Sequence, residues 1–116
     1  MKKLAESQNY VISYEYEMVF LDIKKENRNV HIGSFYGDPC TAIISEDERF
    51  CAIGGEGVII YYLTPPYENY NENKLTSQWK EWARNGNVVW VEQILQIDTD
   101  HIEITTEFNE KIILKV

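Results

Sequence analysis

Apolar and polar side chains alternate along much of this chain, and that alternation limits its fold more than any other feature. In residues 10–22, Tyr10, Ile12, Tyr14 and Phe20 share one parity, whereas mainly polar residues occupy the other. Successive side chains of a β-strand point to opposite faces, so a period of two with one apolar face is typical of a half-buried strand. The pattern therefore predicts a single strand over residues 10–22.

Turn residues divide the remainder of the chain into further strands. The run 58–64 is apolar on both parities and rich in β-branched and aromatic residues, which predicts a central strand covered on both faces. The last three segments alternate and are predicted to form an antiparallel meander with one solvent-exposed face. The predicted strands after the first are 30–36, 41–45, 49–53, 58–64, 88–97, 101–108 and 111–116.

One segment favours a helix. It begins near Thr76 or Ser77, either of which is a suitable N-cap, and it ends at 85–86. Trp79 and Trp82 are three residues apart, which would place both indoles on one helical face. The predicted fold is mainly β, as an antiparallel sheet or small β-sandwich of about 7–8 strands. One short α-helix is inserted before the last three strands.

Chain length and net charge restrict the number of domains and the kinds of partner that the protein can have. The chain of 116 residues is the size of one domain, so residues 1–116 are predicted to fold as a single unit. Lysine and arginine total 11 against 19 acidic residues, a formal net charge of −8. This excess argues against nucleic acid and anionic membranes as partners. The longest apolar run, 58–63, is far shorter than the roughly 20 residues that cross a bilayer.

The N-terminus and the cysteines favour the cytoplasm. Two lysines follow Met1, but no apolar stretch of the kind found in secretory signals comes after them. Cys40 and Cys51 flank a predicted hairpin, so either a disulfide bridge or two free thiols is compatible with the sequence. Cytosolic cysteines are usually small buried hydrophobic residues, which favours free thiols.

Catalytic and metal-binding patterns are weak. His31, Asp38 and Cys40 could form a nucleophilic triad, but no small-residue elbow precedes the cysteine. The glycine-rich segment 54–57 lacks the lysine and the following helix of a phosphate-binding loop. Paired cysteines, histidine pairs at helical spacing and calcium-loop patterns do not occur in the sequence. We therefore expect no enzymatic activity, no cofactor and no metal site.

The negative charge is unevenly distributed. Residues 1–40 contain 6 acids and 5 bases (net −1), whereas residues 41–116 contain 13 acids and 6 bases (net −7). Acidic turns can serve solubility alone, or they can form a face that steers a basic protein. Tyr67 and Tyr70 are predicted to lie exposed in an acidic loop as interface anchors, with packing back onto the sheet as the alternative. The candidate partner-binding residues are Glu46, Asp47, Glu48, Glu56, Tyr67, Glu68, Tyr70, Glu72, Asp98 and Asp100.

Three segments, 31–39, 43–48 and 55–61, together with the small size and acidity, resemble a class of bacterial proteins. These are the small β immunity proteins of contact-dependent inhibition and polymorphic toxin systems. The resemblance implies a cytoplasmic inhibitor that occludes the active site of a cognate basic toxin, very often a nuclease, with acids that mimic substrate phosphates.

Two alternatives remain open. The first is a structural module or homodimer that pairs sheet edges through residues 112–116, which are apolar on both parities. The second is a small-molecule site near Trp79 and Trp82.

Overall fold

A computed structural model of the protein shows eleven β-strands in residues 1–84 and 86–116, the residues that it describes. They form three antiparallel sheets. The N-terminal sheet pairs β1 (Lys2–Glu6), β2 (Tyr10–Glu15), β3 (Met18–Ile23) and β4 (Arg28–Ser34) in that order. The central sheet pairs β5 (Thr41–Ile44), β6 (Phe50–Gly55), β7 (Gly57–Tyr62) and β8 (Trp79–Trp82) in that order. In the C-terminal sheet, β10 (His101–Thr106) lies between β9 (Val91–Gln96) and β11 (Lys111–Lys115).

Two hydrophobic cores lie on opposite faces of the central sheet. Ile53 and Ile59 belong to the core shared with the N-terminal sheet, whereas Ala52 and Ile60 belong to the core shared with the C-terminal sheet. Neighbouring residues reach different cores because successive side chains of a strand point in opposite directions. The architecture therefore has three layers, and the prediction of a central strand covered on both faces is confirmed by β7.

The predicted single strand over residues 10–22 is wrong, because the chain turns back within it. Tyr16 adopts a φ of 55°, and β2 and β3 form a hairpin in which Tyr14 pairs with Val19 and Ile12 pairs with Leu21. Directly paired residues share a face, so the hairpin reverses the parity of the buried positions. Val19 and Leu21 are fully buried, whereas Met18 is 43% exposed.

The predicted helix is also wrong. Residues 79–82 form β8, in which Trp79 pairs with Tyr61 and Trp82 pairs with Val58. Residues three apart lie on one face of a helix but on opposite faces of a strand, so the two indoles enter different cores. Trp79 stacks on Tyr61 with ring centroids 6.3 Å apart. The predicted end of the helix includes Asn85, which lies outside the described residues.

The mainly β, antiparallel class is confirmed, whereas the predicted 7–8 strands and the helix are not. Three differences separate the eight predicted strands from the eleven observed: the split of residues 10–22, the strand β8, and the strand β1. The sequence of β1 is too polar to show an apolar face. In the described part of the chain, helical structure is limited to one 3-10 turn, Lys24–Glu26. None of it is long and apolar enough to cross a membrane.

Candidate functional site

Two acidic turns, 50 residues apart in sequence, lie side by side. The turn between β5 and β6 contains Glu46 and Asp47, and the turn between β9 and β10 contains Asp98 and Asp100. The backbone N–H of Glu46 donates to Oε1 of Gln96 at 2.9 Å, which fixes the first turn against the end of β9. An open groove of about 660 Å³, here called the acidic groove, is lined by Glu46, Asp47, Gln96, Ile97, Asp98 and Thr99.

Arg49 joins the two turns. Its Nη2 lies 3.3 Å from Oδ1 of Asp100 and donates to the carbonyl of Thr99, and its Nε lies 3.6 Å from Oδ2 of Asp47. These side chains are 42–57% exposed, so solvent screens both ion pairs and their contribution to stability is small. The two turns together contain one arginine and five acidic residues, which leaves a net charge of −4; the acids are Glu46, Asp47, Glu48, Asp98 and Asp100.

Hydrogen bonds within the turns lower the pKa of two carboxylates of the acidic groove, Asp47 and Asp98. The hydroxyl of Ser45 donates to Asp47 at 2.8 Å and is the main cause that holds the pKa of Asp47 below its usual value. The ring Nδ1 of His101 lies 2.9 Å from Asp98, and this bond, followed by the backbone N–H of Asp100, lowers the pKa of Asp98. The acidic groove therefore stays negative at neutral pH and for some distance below it.

Three exposed aliphatic side chains lie next to the acidic groove on the outer face of the C-terminal sheet. Leu95 is 48% exposed, Ile97 is 49% exposed and Ile113 is 62% exposed. Leu95 and Ile113 both pair with Glu103 from opposite sides, so they lie in one row across the sheet with the Glu103 side chain between them. Ile97 also lines the acidic groove, which makes the two features continuous. Leu95, Ile97 and Ile113 are called the aliphatic triad below.

Glu48 has a structural role that sets it apart from the acidic groove. Its carboxylate accepts hydrogen bonds from the Ser7 hydroxyl and from the backbone and side-chain N–H groups of Asn9, at 3.0 Å and 2.6 Å. The bond from Ser7 is the main cause that lowers the pKa of Glu48. Glu48 thereby ties the turn between β5 and β6 to the turn between β1 and β2.

Glu68 is likewise held within the chain. Its carboxylate pairs with Lys74 and accepts a hydrogen bond from the Thr76 hydroxyl at 2.8 Å. The contact with Lys74 is the main cause that lowers its pKa.

The prediction that Tyr67 and Tyr70 are exposed anchors is wrong. They are only 6% and 9% exposed, because the loop that contains them runs along β4 and places both rings in the core. The backbone N–H of Tyr70 donates to the carbonyl of His31 at 2.7 Å. The hydroxyl of Tyr67 lies 2.8 Å from that of Tyr10. Burial is the main cause that raises the pKa of Tyr70 to about 12. The two tyrosines therefore stabilise the fold.

Glu56 and Glu72 lie at a second cleft, of about 440 Å³, which Tyr70 also lines. Arg84 forms its floor, with a side chain only 12% exposed. Its Nη1 donates to the carbonyl of Glu56 at 2.9 Å, and its Nε lies 2.8 Å from Oε1 of Glu81. The contact between Nε and Glu81 is short enough for an ion pair, but its geometry is not that of a hydrogen bond. This cleft is separate from the acidic groove and is held by a paired arginine.

The structure thus assembles part of the predicted set and disperses the rest. Glu46, Asp47, Asp98 and Asp100 come together, whereas the other predicted acids and tyrosines lie at the Arg84 cleft or within internal hydrogen-bond networks. Sequence reasoning missed the bridging role of Arg49 and the aliphatic triad. The parity of Leu95 and Ile97 gave a signal for the triad, because it places both on the solvent-exposed face of an outer strand.

The remaining reactive side chains are engaged separately. His31 Nε2 lies 2.8 Å from the carbonyl of Gly33, whereas the thiol of Cys40 donates to the carbonyl of Val91 at 2.7 Å. Cys40 and Cys51 are both free thiols, as expected. Within residues 1–84 and 86–116, the structure contains no group of three or more histidine, cysteine or acidic side chains arranged to hold a metal ion. Trp79 and Trp82, which face different cores, do not share a ligand site.

Comparisons with protein-family models, with curated proteins and with solved structures found no match for this chain. A function for this chain is therefore inferred from the geometry of its own residues.

Proposed function

We propose that this protein is a non-enzymatic immunity protein, which binds a cognate basic toxin domain through the acidic groove and blocks its active site. The observation that carries the proposal is the convergence of the two acidic turns, which Arg49 joins through ion pairs with Asp47 and Asp100. The proposed partner is a nuclease or another protein with a cationic active-site cleft, and the proposed location is the cytoplasm.

Electrostatics explains how such a surface would act. A negative groove attracts a positive surface over several ångströms, so it raises the rate of encounter and fixes the orientation of docking more than it adds affinity. The aspartates of the turns also resemble the spaced negative charges of a nucleic-acid backbone, which a nuclease cleft is built to hold. The bound immunity protein would then block the active site of the toxin by its position alone, without catalysing a reaction.

The test measures association between the purified protein and a candidate toxin domain, which is sought first among the products of adjoining genes. The variant Glu46→Gln plus Asp100→Asn removes two charges, and neither carboxylate accepts a hydrogen bond from the backbone within the described residues. We expect the association rate constant to fall about three- to tenfold at low salt. The difference should vanish near 1 M salt, where the Debye length is about 3 Å.

The matched control is Glu107→Gln plus Glu110→Gln, which removes two exposed acids from the turn between β10 and β11. It should leave the association rate nearly unchanged. Three results would count against the proposal: an association rate independent of salt, equal effects of the control and the groove variants, or a neighbouring locus without a toxin gene. Co-expression should also rescue growth of cells that make the toxin domain.

An assembly of identical chains is the second candidate, because β11 is an edge strand that exposes Ile113. Antiparallel pairing of two copies about Ile113 would set Lys111 of one copy opposite Lys115 of the other. Like charges directly opposite destabilise a strand pair, and edge lysines are a common protection against such pairing. Light scattering over a dilution series tests this candidate. A species larger than the 13.6 kDa chain that persists on dilution would favour it over the immunity proposal.

A further inference from the structure

One side of β11 lacks a neighbouring strand. The backbone N–H of Val116 donates to the carbonyl of Asp100 at 2.8 Å. Hydrogen bonds alternate along an antiparallel pair, so every second residue of β11 bonds to β10 and the residues between them direct their N–H and C=O groups the other way. These outward residues are Lys111, Ile113 and Lys115. Because β11 lies at the end of its sheet, their backbone groups face an open edge.

The edge of the N-terminal sheet at β4 is covered by the chain itself, unlike the edge at β11. At β4, the backbone N–H of Tyr70 donates to the carbonyl of His31 at 2.7 Å. At β11, the ammonium of Lys80 donates to the carbonyl of Lys115 at 2.8 Å. The other outward backbone groups of β11 have no partner within residues 1–84 and 86–116. An extended segment could therefore pair with β11 without displacing another strand of the protein.

The side chains along this edge are positively charged. Lys111 and Lys115 are exposed on the outer face, on either side of Ile113, and Lys80 reaches the edge from β8. The sequence of β11 contains no acid. Glu103 of β10 lies 3.7 Å from Lys111 and offsets part of one of the three charges. The edge is therefore locally cationic, although the chain has a net charge of −8.

The inner face of the same strand is apolar. Ile112 and Leu114 are partly buried, and Leu114 packs against the core between the central and C-terminal sheets. Trp82, on the edge strand of the central sheet, is partly buried against the same core. Directly paired residues of adjacent strands share a face, so a strand added beside β11 would place alternate side chains next to Ile112 and Leu114. Apolar side chains would suit these inward positions.

We infer that the open edge of β11 binds an extended acidic segment of another protein by β-strand addition. In this mode of recognition, main-chain hydrogen bonds supply affinity and alternate side chains supply specificity. Acids four residues apart in the segment would lie opposite Lys111 and Lys115, with an apolar residue opposite Ile113. Opposite charges in directly paired positions stabilise a strand pair.

Charge selects this occupant over a second copy of the chain. Two copies paired antiparallel about Ile113 would set Lys111 of one opposite Lys115 of the other, and like charges there destabilise the pair. Edge lysines protect a strand from indiscriminate pairing, but acids in the opposite positions convert the same repulsion into attraction. The inference does not rest on the proposed function, because this partner is acidic and the toxin domain proposed for the acidic groove is basic.

The experiment follows amide hydrogen exchange in the ¹⁵N-labelled full-length protein. It is run at about 0.15 M salt, where the Debye length of about 8 Å screens distant acids. Without a ligand, the amides of Lys111, Ile113 and Lys115 should exchange fast, whereas those of Ile112 and Leu114 should exchange slowly because they bond to β10. This alternation tests whether the edge is open.

Three nine-residue peptides then test the occupant. The acidic peptide is SGEVIVEGS, the basic peptide is SGKVIVKGS, and the proline peptide is SGEVPVEGS. At saturation, the acidic peptide should slow exchange of the three outward amides of β11 at least about tenfold. The basic peptide should not bind. The proline peptide has the charge of the acidic one but lacks its central N–H, so it should bind much more weakly.

The variant Lys111→Gln plus Lys115→Gln removes both charges at exposed positions. We expect its dissociation constant for the acidic peptide to rise about three- to tenfold. The matched control is Lys2→Gln plus Lys25→Gln, which changes the net charge equally at two exposed lysines, in β1 and in the 3-10 turn. It should bind the acidic peptide as the wild type does.

The variant Ile113→Pro tests the backbone. It removes an N–H that faces the open edge, which is a position where edge strands accept proline. We expect binding of the acidic peptide to weaken at least about tenfold, while a urea midpoint checks that the variant is folded. Ile113→Thr keeps the N–H and suits a strand, so it should bind within about threefold of the wild type.

Four results would overturn the inference: no binding of the acidic peptide at millimolar concentration, equal affinity for the acidic peptide and either of the others, a lysine variant that binds like its control, or outward amides that stay unprotected at saturation. Protection without peptide that disappears on dilution would identify a second copy as the occupant and would overturn it as well. The experiment contains no toxin and leaves the acidic groove unchanged, so its failure is separable from failure of the proposed function.

Discussion

Replacing Arg84 is the most informative test of the fold, because its side chain joins three elements. Its Nη1 and Nη2 donate to the carbonyls of Glu56 and Ser34, its Nε pairs with Glu81, and its guanidinium lies 4.3 Å from the ring centroid of Phe35. Arg84→Met keeps an unbranched apolar side chain as far as the position of Nε. It removes the charge and every donor.

The expected loss follows from these contacts. Two carbonyls lose a charged donor, which is worth about 1.5 kcal/mol each before water enters the cleft. Glu81 loses its cation, but it is 28% exposed and keeps the hydroxyl of Tyr70 at 2.8 Å, so this cost is well below that of a fully buried pair. The cation–π contact adds about 0.5–1 kcal/mol. Allowing for water in the open cleft, we expect about 3 kcal/mol.

Urea unfolding followed by tryptophan fluorescence measures this loss. For an m-value of about 1.5 kcal mol⁻¹ M⁻¹, the midpoint should fall by about 2 M. The melting temperature should fall by about 10 °C. Arg84→Lys keeps the charge without the planar fork and should lose an intermediate amount. A midpoint for Arg84→Met within about 0.3 M of the wild type would refute the reasoning, as would equal losses for the two variants.

Three further outcomes are expected. Gly57→Ala should cost about 3 kcal/mol or more by urea unfolding, because its φ is 73° and a Cβ would overlap the carbonyl oxygen of Trp82. Gly86→Ala, with φ 78° and open space around it, should cost only about 1 kcal/mol. Glu48→Gln should be less stable than the wild type at pH 7. Because the fold lowers the pKa of Glu48, its contribution is present above the ordinary value of 4.5 and is lost as pH falls through the folded pKa. The two urea midpoints should therefore converge in acid, and a constant gap would contradict this sign. Trp79→Ala should cost about 3–5 kcal/mol in the same assay, since its indole is 6% exposed.

Sequence patterns predicted the sheet class because strand alternation is a local property. The same patterns failed at two segments, for different reasons. The spacing of Trp79 and Trp82 fits a helix as well as a strand that is buried on both faces, and pairing with β7 selects the strand. Residues 10–22 keep a period of two through Tyr16, so alternation alone does not reveal the turn there.

The candidate site was predictable in its residue types and not in its assembly. Acidic turns at Glu46–Asp47 and Asp98–Asp100 are visible in the sequence, but their contact depends on β5 and β6 packing against β9. Tyr67 and Tyr70 are buried because their loop forms backbone hydrogen bonds with β4. No local sequence pattern predicts these hydrogen bonds. The polar residues around Tyr67 and Tyr70 suggest an exposed loop, although both tyrosine rings are buried in the core.

The layered arrangement explains why the charge of residues 41–116 forms a surface. These residues build the central and C-terminal sheets, and the central sheet is covered on both faces. Its acids can therefore appear only in its turns and along its edges. The C-terminal sheet exposes a whole face, and the turn at Asp98–Asp100 meets the turn at Glu46–Asp47 at the end of that face. The nearly neutral N-terminal sheet lies on the other side of the central layer. The excess negative charge of the chain is consequently concentrated in the turns of the central and C-terminal layers.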